Sequence, residues 1–86
     1  MNINDLISIV KKKIIKEIVI EKIYIEDKTF LHKKHKGHKE SKFHLKIIIQ
    51  SRELKNLNKV DSNKKIYKAL DQEIKEHIHS LQILIT

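Results

Sequence analysis

Ile3, Ile7, Val10 and Ile14 recur at helical spacing, with Leu6 beside them and Lys11, Lys12 and Lys13 on the opposite side. That period gathers the apolar positions into one stripe of an amphipathic helix from about Ile3 to Lys16. Asn2 is a natural N-cap, and Asp5 places negative charge in the first turn, where the helix dipole favours it. From Val19 to Asp27 the period changes. β-Branched residues dominate, and Ile23 and Ile25 alternate with Lys22, Tyr24 and Glu26, as a strand requires. Lys28 to Lys42 holds Gly37, the one glycine of the chain, and interleaves lysine with His32, His35 and His38 without an apolar pattern. A loop is predicted there.

Phe43, Leu45, Ile47 and Ile49 mark one face of a second strand, with His44, Lys46, Ile48 and Gln50 on the other. The alternation places His44 on the open side of the sheet, in solvent. Ser51 to Lys59 is polar, with Leu54 and Leu57 as anchors, and Asp61 or Ser62 caps a second long helix. Its stripe is Ile66, Leu70 and Ile74, flanked by Tyr67 and Ile78, and Phe43 and Tyr67 are assigned to the core. Ile78-His79-Ser80 opens a last strand built on Leu81, Ile83 and Ile85. The order is α-β-β-α-β. Two successive strands pair as an antiparallel hairpin, and a strand, helix and strand in one sheet imply a right-handed crossover, so the third strand runs parallel to the second. The prediction is an α+β fold: a three-stranded mixed sheet covered by helices on one face. The opposite face is half solvated, with Ile48 and Leu84 as a small apolar patch.

Composition adds limits to this picture. Eighty-six residues, 40% hydrophobic and without proline, fit a single domain spanning residues 1–86, and with aromatics at 5% the core must come from isoleucine, leucine and valine. There is no cysteine, which excludes a disulfide framework and leaves imidazole as the donor for any soft-metal site. The N-terminus lacks the basic region and cleavage site of a signal peptide, and no apolar run approaches the roughly 18–20 residues that span a bilayer. A cytoplasmic protein without membrane contact is expected. Nor does an enzyme emerge, since the carboxylates are scattered and there is no phosphate-binding glycine loop or nucleophile constellation.

The histidines carry the remaining chemistry. The ordered set Asp27-x-Thr29, His35-x-Gly37-His38, Ser41-x-Phe43, Ser51-x-x-Leu54, Val60, Ile66-Tyr67-x-x-Leu70 and Ile78-His79-Ser80-Leu81-x-Ile83 resembles the BolA family over nearly the whole chain. The family pattern has serine where Thr29 stands, histidine at Lys42, Phe-x-Gly at Leu54 and Asn56, Arg-His-Arg at Ser62-Asn63-Lys64, and alanine at Ser80. The resemblance implies a fold related to type II KH domains and a partnership with a monothiol glutaredoxin. In such a heterodimer a [2Fe-2S] cluster is held by the glutaredoxin cysteine, a glutathione thiolate and two ligands from the BolA-like chain, with no cofactor needed for folding. One ligand position corresponds to His79. The other lies in the loop between the first two strands: the His-x-Gly-His match makes it His35, whereas counting from Asp27-x-Thr29 makes it His32. Imidazoles in place of thiolates lower the negative charge of a cluster and raise its potential, which suits cluster trafficking, iron or redox sensing, or a stress response. Alone, the chain is expected to be a monomer or weak homodimer.

DNA binding by a transcriptional regulator is the competing reading. The formal net charge of +8 attracts phosphate, and Lys55, Lys59, Lys64, Lys65 and Lys68, around the start of the second long helix, are the expected phosphate contacts. Against it, the lysines are spread along the entire chain, and a lone glycine cannot build the Gly-x-x-Gly clamp of a KH domain.

Overall fold

The computed structural model describes residues 1–29 and 42–86. Helix α1 spans Ile3–Glu17 and starts as its sequence requires, with the Asn2 side chain accepting from the Asp5 N–H at 2.8 Å. Leu6, Val10 and Ile14 point inward and are fully buried. The chain then forms strand β1 (Lys22–Asp27) and strand β2 (Phe43–Gln50), a short helix α2 (Arg52–Lys55), helices α3 (Lys59–Ala69) and α4 (Asp71–Glu76), and strand β3 (Ile78–Ile85). The sheet order is β1-β2-β3, antiparallel between the first pair and parallel between the second. The predicted mixed sheet is therefore present.

One face of β2, through Leu45, Ile47 and Ile49, packs with the α1 stripe and with Ile66 and Leu70 in a single aliphatic core. On the other face, Tyr24, Ile48 and Leu84 align across the three strands, and Leu84 remains 47% exposed. That row adds Tyr24 to the patch expected from Ile48 and Leu84.

Three details differ from the sequence reading. The second long helix begins at Lys59, capped by Asn58, whose Oδ1 accepts from the Asp61 N–H at 2.8 Å. Asp61 thus sits in the first turn. Ser62 is buried and donates to the Leu54 carbonyl at 2.7 Å, tying α3 to the α2 turn. The helix then breaks at Leu70, whose backbone leaves the helical region before α4 starts at Asp71. Ile66, Leu70 and Ile74 all reach the core, so the apolar stripe survives a break that periodicity does not reveal. Tyr67 is on the surface, 43% exposed, because the stripe is filled by aliphatic side chains and its ring falls outside.

Candidate functional site

The β2–β3 ladder is irregular at one place. Phe43 pairs with Ile78, but the next residue, His44, pairs with Ser80, and Leu45 with Leu81. His79 is thus an extra residue in β3, a bulge of the kind that re-aims side chains. Ile78 and Leu81, three residues apart, would face opposite sides of a regular strand, yet both pack on the core. The inserted residue absorbs the odd spacing and brings both His79 and Ser80 to the side of His44.

There the three side chains meet. His44 Nδ1 lies 2.6 Å from Ser80 Oγ, and the His44 and His79 rings are 4.8 Å apart at their centroids, tilted by 46°. His79 is exposed, whereas His44 is only 5% exposed. The expectation of a solvent-exposed His44 is corrected: alternation identifies its face but not the bulged neighbours that crowd it. Its backbone is held equally firmly. The His44 N–H donates to Thr29 Oγ1 at 3.1 Å, the Thr29 N–H donates to Asp27 Oδ1 at 2.9 Å, and the His44 carbonyl accepts from the Lys28 N–H at 2.7 Å. The Asp27-x-Thr29 motif therefore closes the end of β1 onto His44, and threonine keeps the hydroxyl that this needs.

His77 takes the capping role that the junction offers. Its N–H donates to the Glu73 carbonyl at 2.8 Å at the end of α4, and its carbonyl receives the Phe43 N–H at 2.8 Å. His79 is left to the strand. Chemically, the cluster offers the exposed imidazole of His79, and the Ser80 hydroxyl at Nδ1 orients the His44 ring beside it. Among the described residues no group of three or more His, Asp or Glu side chains converges as a metal site. His32 and His35, the loop ligands anticipated from the sequence, lie outside the described residues. His79 was legible there. His44 and Ser80 were not, although the spacing of three between Ile78 and Leu81, against two thereafter, is the signal that marks the bulge.

The predicted phosphate-contacting lysines, Lys55, Lys59, Lys64, Lys65 and Lys68, are all exposed. Lys65 and Lys68 line a cleft of about 510 Å³ with Lys13, Lys16 and Glu17 of α1, two of whose lysines the sequence reading did not include. Two of the four lysines are already engaged, Lys65 with Glu53 at 2.9 Å and Lys13 with the buried Glu73 at 2.6 Å. The Lys65 hydrogen bond, helped by the Val19 N–H, holds the Glu53 carboxyl below its ordinary range.

Among the described residues no helix is long and apolar enough to cross a membrane. Comparison with known proteins agrees with the geometry. Residues 14–86 match the family model described as BolA-like protein. The chain is 35% identical over 75 residues to the DNA-binding transcriptional regulator BolA of Haemophilus influenzae, covering 87% of this chain and 70% of that protein. Among solved structures, BolA1 from Arabidopsis thaliana superposes with a TM-score of 0.75 at 27% identity, covering 92% of this chain and 87% of that one. The BolA domain of SufE1 from Arabidopsis thaliana shares the fold with a TM-score of 0.77 at 23% identity, covering 100% and 93%. An α-β-β-α-β core with a histidine at the head of its last strand, matched by the family model over most of its length, places this chain in the BolA-like family.

Proposed function

We propose that this BolA-like protein acts by binding rather than catalysis, pairing with a monothiol glutaredoxin and co-ligating a shared [2Fe-2S] cluster through His79 and a second histidine, in cluster trafficking or iron and redox sensing. The observation that carries the reading is the bulge that presents His79, an exposed imidazole, at the head of β3. The donor set fits such a cluster. This chain supplies imidazole and has no cysteine, so thiolates would come from the glutaredoxin and glutathione. The cluster, when bound, supplies a one-electron centre whose potential nitrogen ligands raise. The loop candidates for the second ligand are His35 and His32.

Anaerobic reconstitution with a monothiol glutaredoxin, glutathione, iron and sulfide tests the reading. A heterodimer forms whose visible circular dichroism differs from that of the glutaredoxin homodimer, and His79→Ala abolishes the difference. An unchanged spectrum in His79→Ala refutes the assignment.

DNA binding is the second reading, favoured by the name of the Haemophilus influenzae relative. Here the contacts would be Lys55, Lys59, Lys64, Lys65 and Lys68, and several phosphate contacts imply a loss of about 10³-fold in affinity between roughly 50 and 200 mM salt. Sequence-dependent binding that persists at the higher salt would rank this reading first.

A further inference from the structure

We infer that the cleft between α1 and α3 binds an oligophosphate, an anion with two or three linked phosphate groups. The site lies on the helical side of the sheet, away from the histidines. It shares Lys65 and Lys68 with the DNA reading above, but it takes a discrete ligand and needs α1.

Two lysine pairs meet across this cleft. Lys13 and Lys16 of α1 and Lys65 and Lys68 of α3 line it, and the i, i+3 spacing within each pair puts both side chains on one side of their helix. Ala69 and the buried Ile18 supply an apolar part of the lining. A cleft dominated by one sign of charge, against a low-dielectric wall, focuses its field on an entering anion. Glu17 in the lining, and Glu73 and Glu53 behind it, offset part of that charge. Lys16 and Lys68 have no ion pair among the described residues.

The helix dipole favours a lysine in each last turn, and Lys16 and Lys68 hold those places. It does not account for a second lysine one turn earlier on each wall, since like charges at that spacing repel. Those two are held by carboxylates. Glu73 is buried beside Lys13, and its Oε1 finds no partner among the described residues. Such a buried carboxylate stabilises a fold less than an aliphatic side chain in its place, and what it supplies is a fixed ammonium at the cleft. Glu53 holds Lys65 in the same way from α2, at 2.9 Å.

The chemistry of the walls selects the ligand. Arginine forks suit planar carboxylates, whereas lysines act as point charges on phosphate oxygens, and no arginine lines this cleft. Its volume of about 510 Å³ is that of a small-molecule site, roughly 300–1,000 Å³, and exceeds what one phosphate group fills. A chain of two or three phosphates reaches both lysine pairs at once.

NMR titration of the full chain at one fixed ionic strength, with tripolyphosphate, pyrophosphate, orthophosphate and ATP, tests the site. Amide shifts are expected to centre on residues 13–18 and 65–69, with orthophosphate bound at least about tenfold more weakly than tripolyphosphate. ATP bound more tightly than tripolyphosphate identifies a nucleotide as the source of the phosphates, and equal affinity identifies the phosphate chain alone; either result supports the site. Two variants of equal charge are then compared, Lys16→Ala/Lys68→Ala in the cleft and Lys55→Ala/Lys59→Ala outside it. None of these four lysine side chains has a partner among the described residues, so both variants are expected to fold. The first should weaken tripolyphosphate binding at least about tenfold and the second less than about twofold. Equal weakening would show that the net charge of +8 attracts the anion without a site, and would overturn the assignment. Shifts centred elsewhere overturn it too, as does duplex DNA binding through Lys16 and Lys68 by a chain that ignores tripolyphosphate. Orthophosphate bound as tightly as tripolyphosphate overturns the ligand class.

Discussion

The two ends of the β2–β3 ladder are built to different ends. At one, Ile47, Ile48 and Ile49 run in unbroken register beside Ile83, Leu84 and Ile85. At the other, the register slips by one residue, and a buried histidine meets a serine and a second histidine. Aliphatic pairing yields stability at low risk, whereas a buried imidazole is unfavourable unless its polar atoms find partners. The His44 ring finds Ser80 at Nδ1, and its backbone N–H finds Thr29 Oγ1. The difference teaches that this sheet is regular where it holds the fold and irregular where it presents donors, so the two properties should be separable by mutation.

Ile47→Ala probes the regular end and gives the largest expected effect. Ile47 is fully buried at the centre of the core. Truncation there costs about 2–5 kcal/mol, and each kilocalorie lowers Tm by about 4–8 °C in a domain of this size. Thermal or urea unfolding reads the loss, and a change below about 1 kcal/mol would show that the core is not seated where the register places it. Thr29→Val probes the other end. It removes the acceptor for the buried His44 N–H, with an expected loss of about 1–3 kcal/mol, whereas Thr29→Ser keeps the hydroxyl and most of the stability. A Thr29→Val variant as stable as the original, with Thr29→Ser the destabilised one, would mean that the methyl group matters and the hydrogen bond does not.

This asymmetry also explains what could be read from the sequence. The helical stripe Leu6, Val10 and Ile14 and the alternation of Leu45, Ile47 and Ile49 are repeated signals, and repetition is what makes topology legible. A bulge is a single event. One extra residue in β3 contradicts the alternation at one step only, so His79 was found through its resemblance to a family pattern, while His44 was assigned to solvent by a rule that holds everywhere else on its strand. The break at Leu70 escaped for the same reason, since Ile66, Leu70 and Ile74 keep their spacing through it. Short polar elements such as α2 carry too few positions to show a period at all.

Deleting His79 sharpens the comparison from within the strand. The resulting order Ile78-Ser80-Leu81-Gln82-Ile83 alternates without interruption, with Ile78 and Leu81 on one face by regular pleating. The shortened chain should fold with a stability within about 1 kcal/mol of the original, the range of changes that remove neither a core contact nor a buried partner. Metal-site assembly with the glutaredoxin should be lost. Retained stability with lost assembly identifies the bulge as a functional insertion. A large loss of stability would identify it instead as part of the core's own design.

The smallest effect asks whether charge, rather than register, distinguishes the two ends. Among the described residues, each carries a surface ion pair whose carboxylate is perturbed. Glu26 accepts from Lys28 at 2.6 Å near the histidines, and Glu53 accepts from Lys65 at 2.9 Å near the aliphatic end. In both the lysine hydrogen bond is the main cause of a carboxyl pKa below its ordinary value. A lowered folded-state pKa means that the stabilisation is fully present above the unfolded value of about 4.3 and fades as pH falls through the folded one. The contribution is small because both pairs are open to solvent and screened by salt. Carboxyl NMR titration should find Glu26 and Glu53 both displaced downward, with Lys28→Ala reversing most of the displacement at Glu26 alone and Lys65→Ala most of it at Glu53 alone, the remainder coming from Lys46 and from the Val19 N–H. Matching behaviour at the two ends leaves the bulge as what sets the histidine end apart. A displacement of Glu26 that survives removal of both Lys28 and its cross-strand partner Lys46 would instead reveal a further positive field at this end, and the two ends would differ in electrostatics as well as in register.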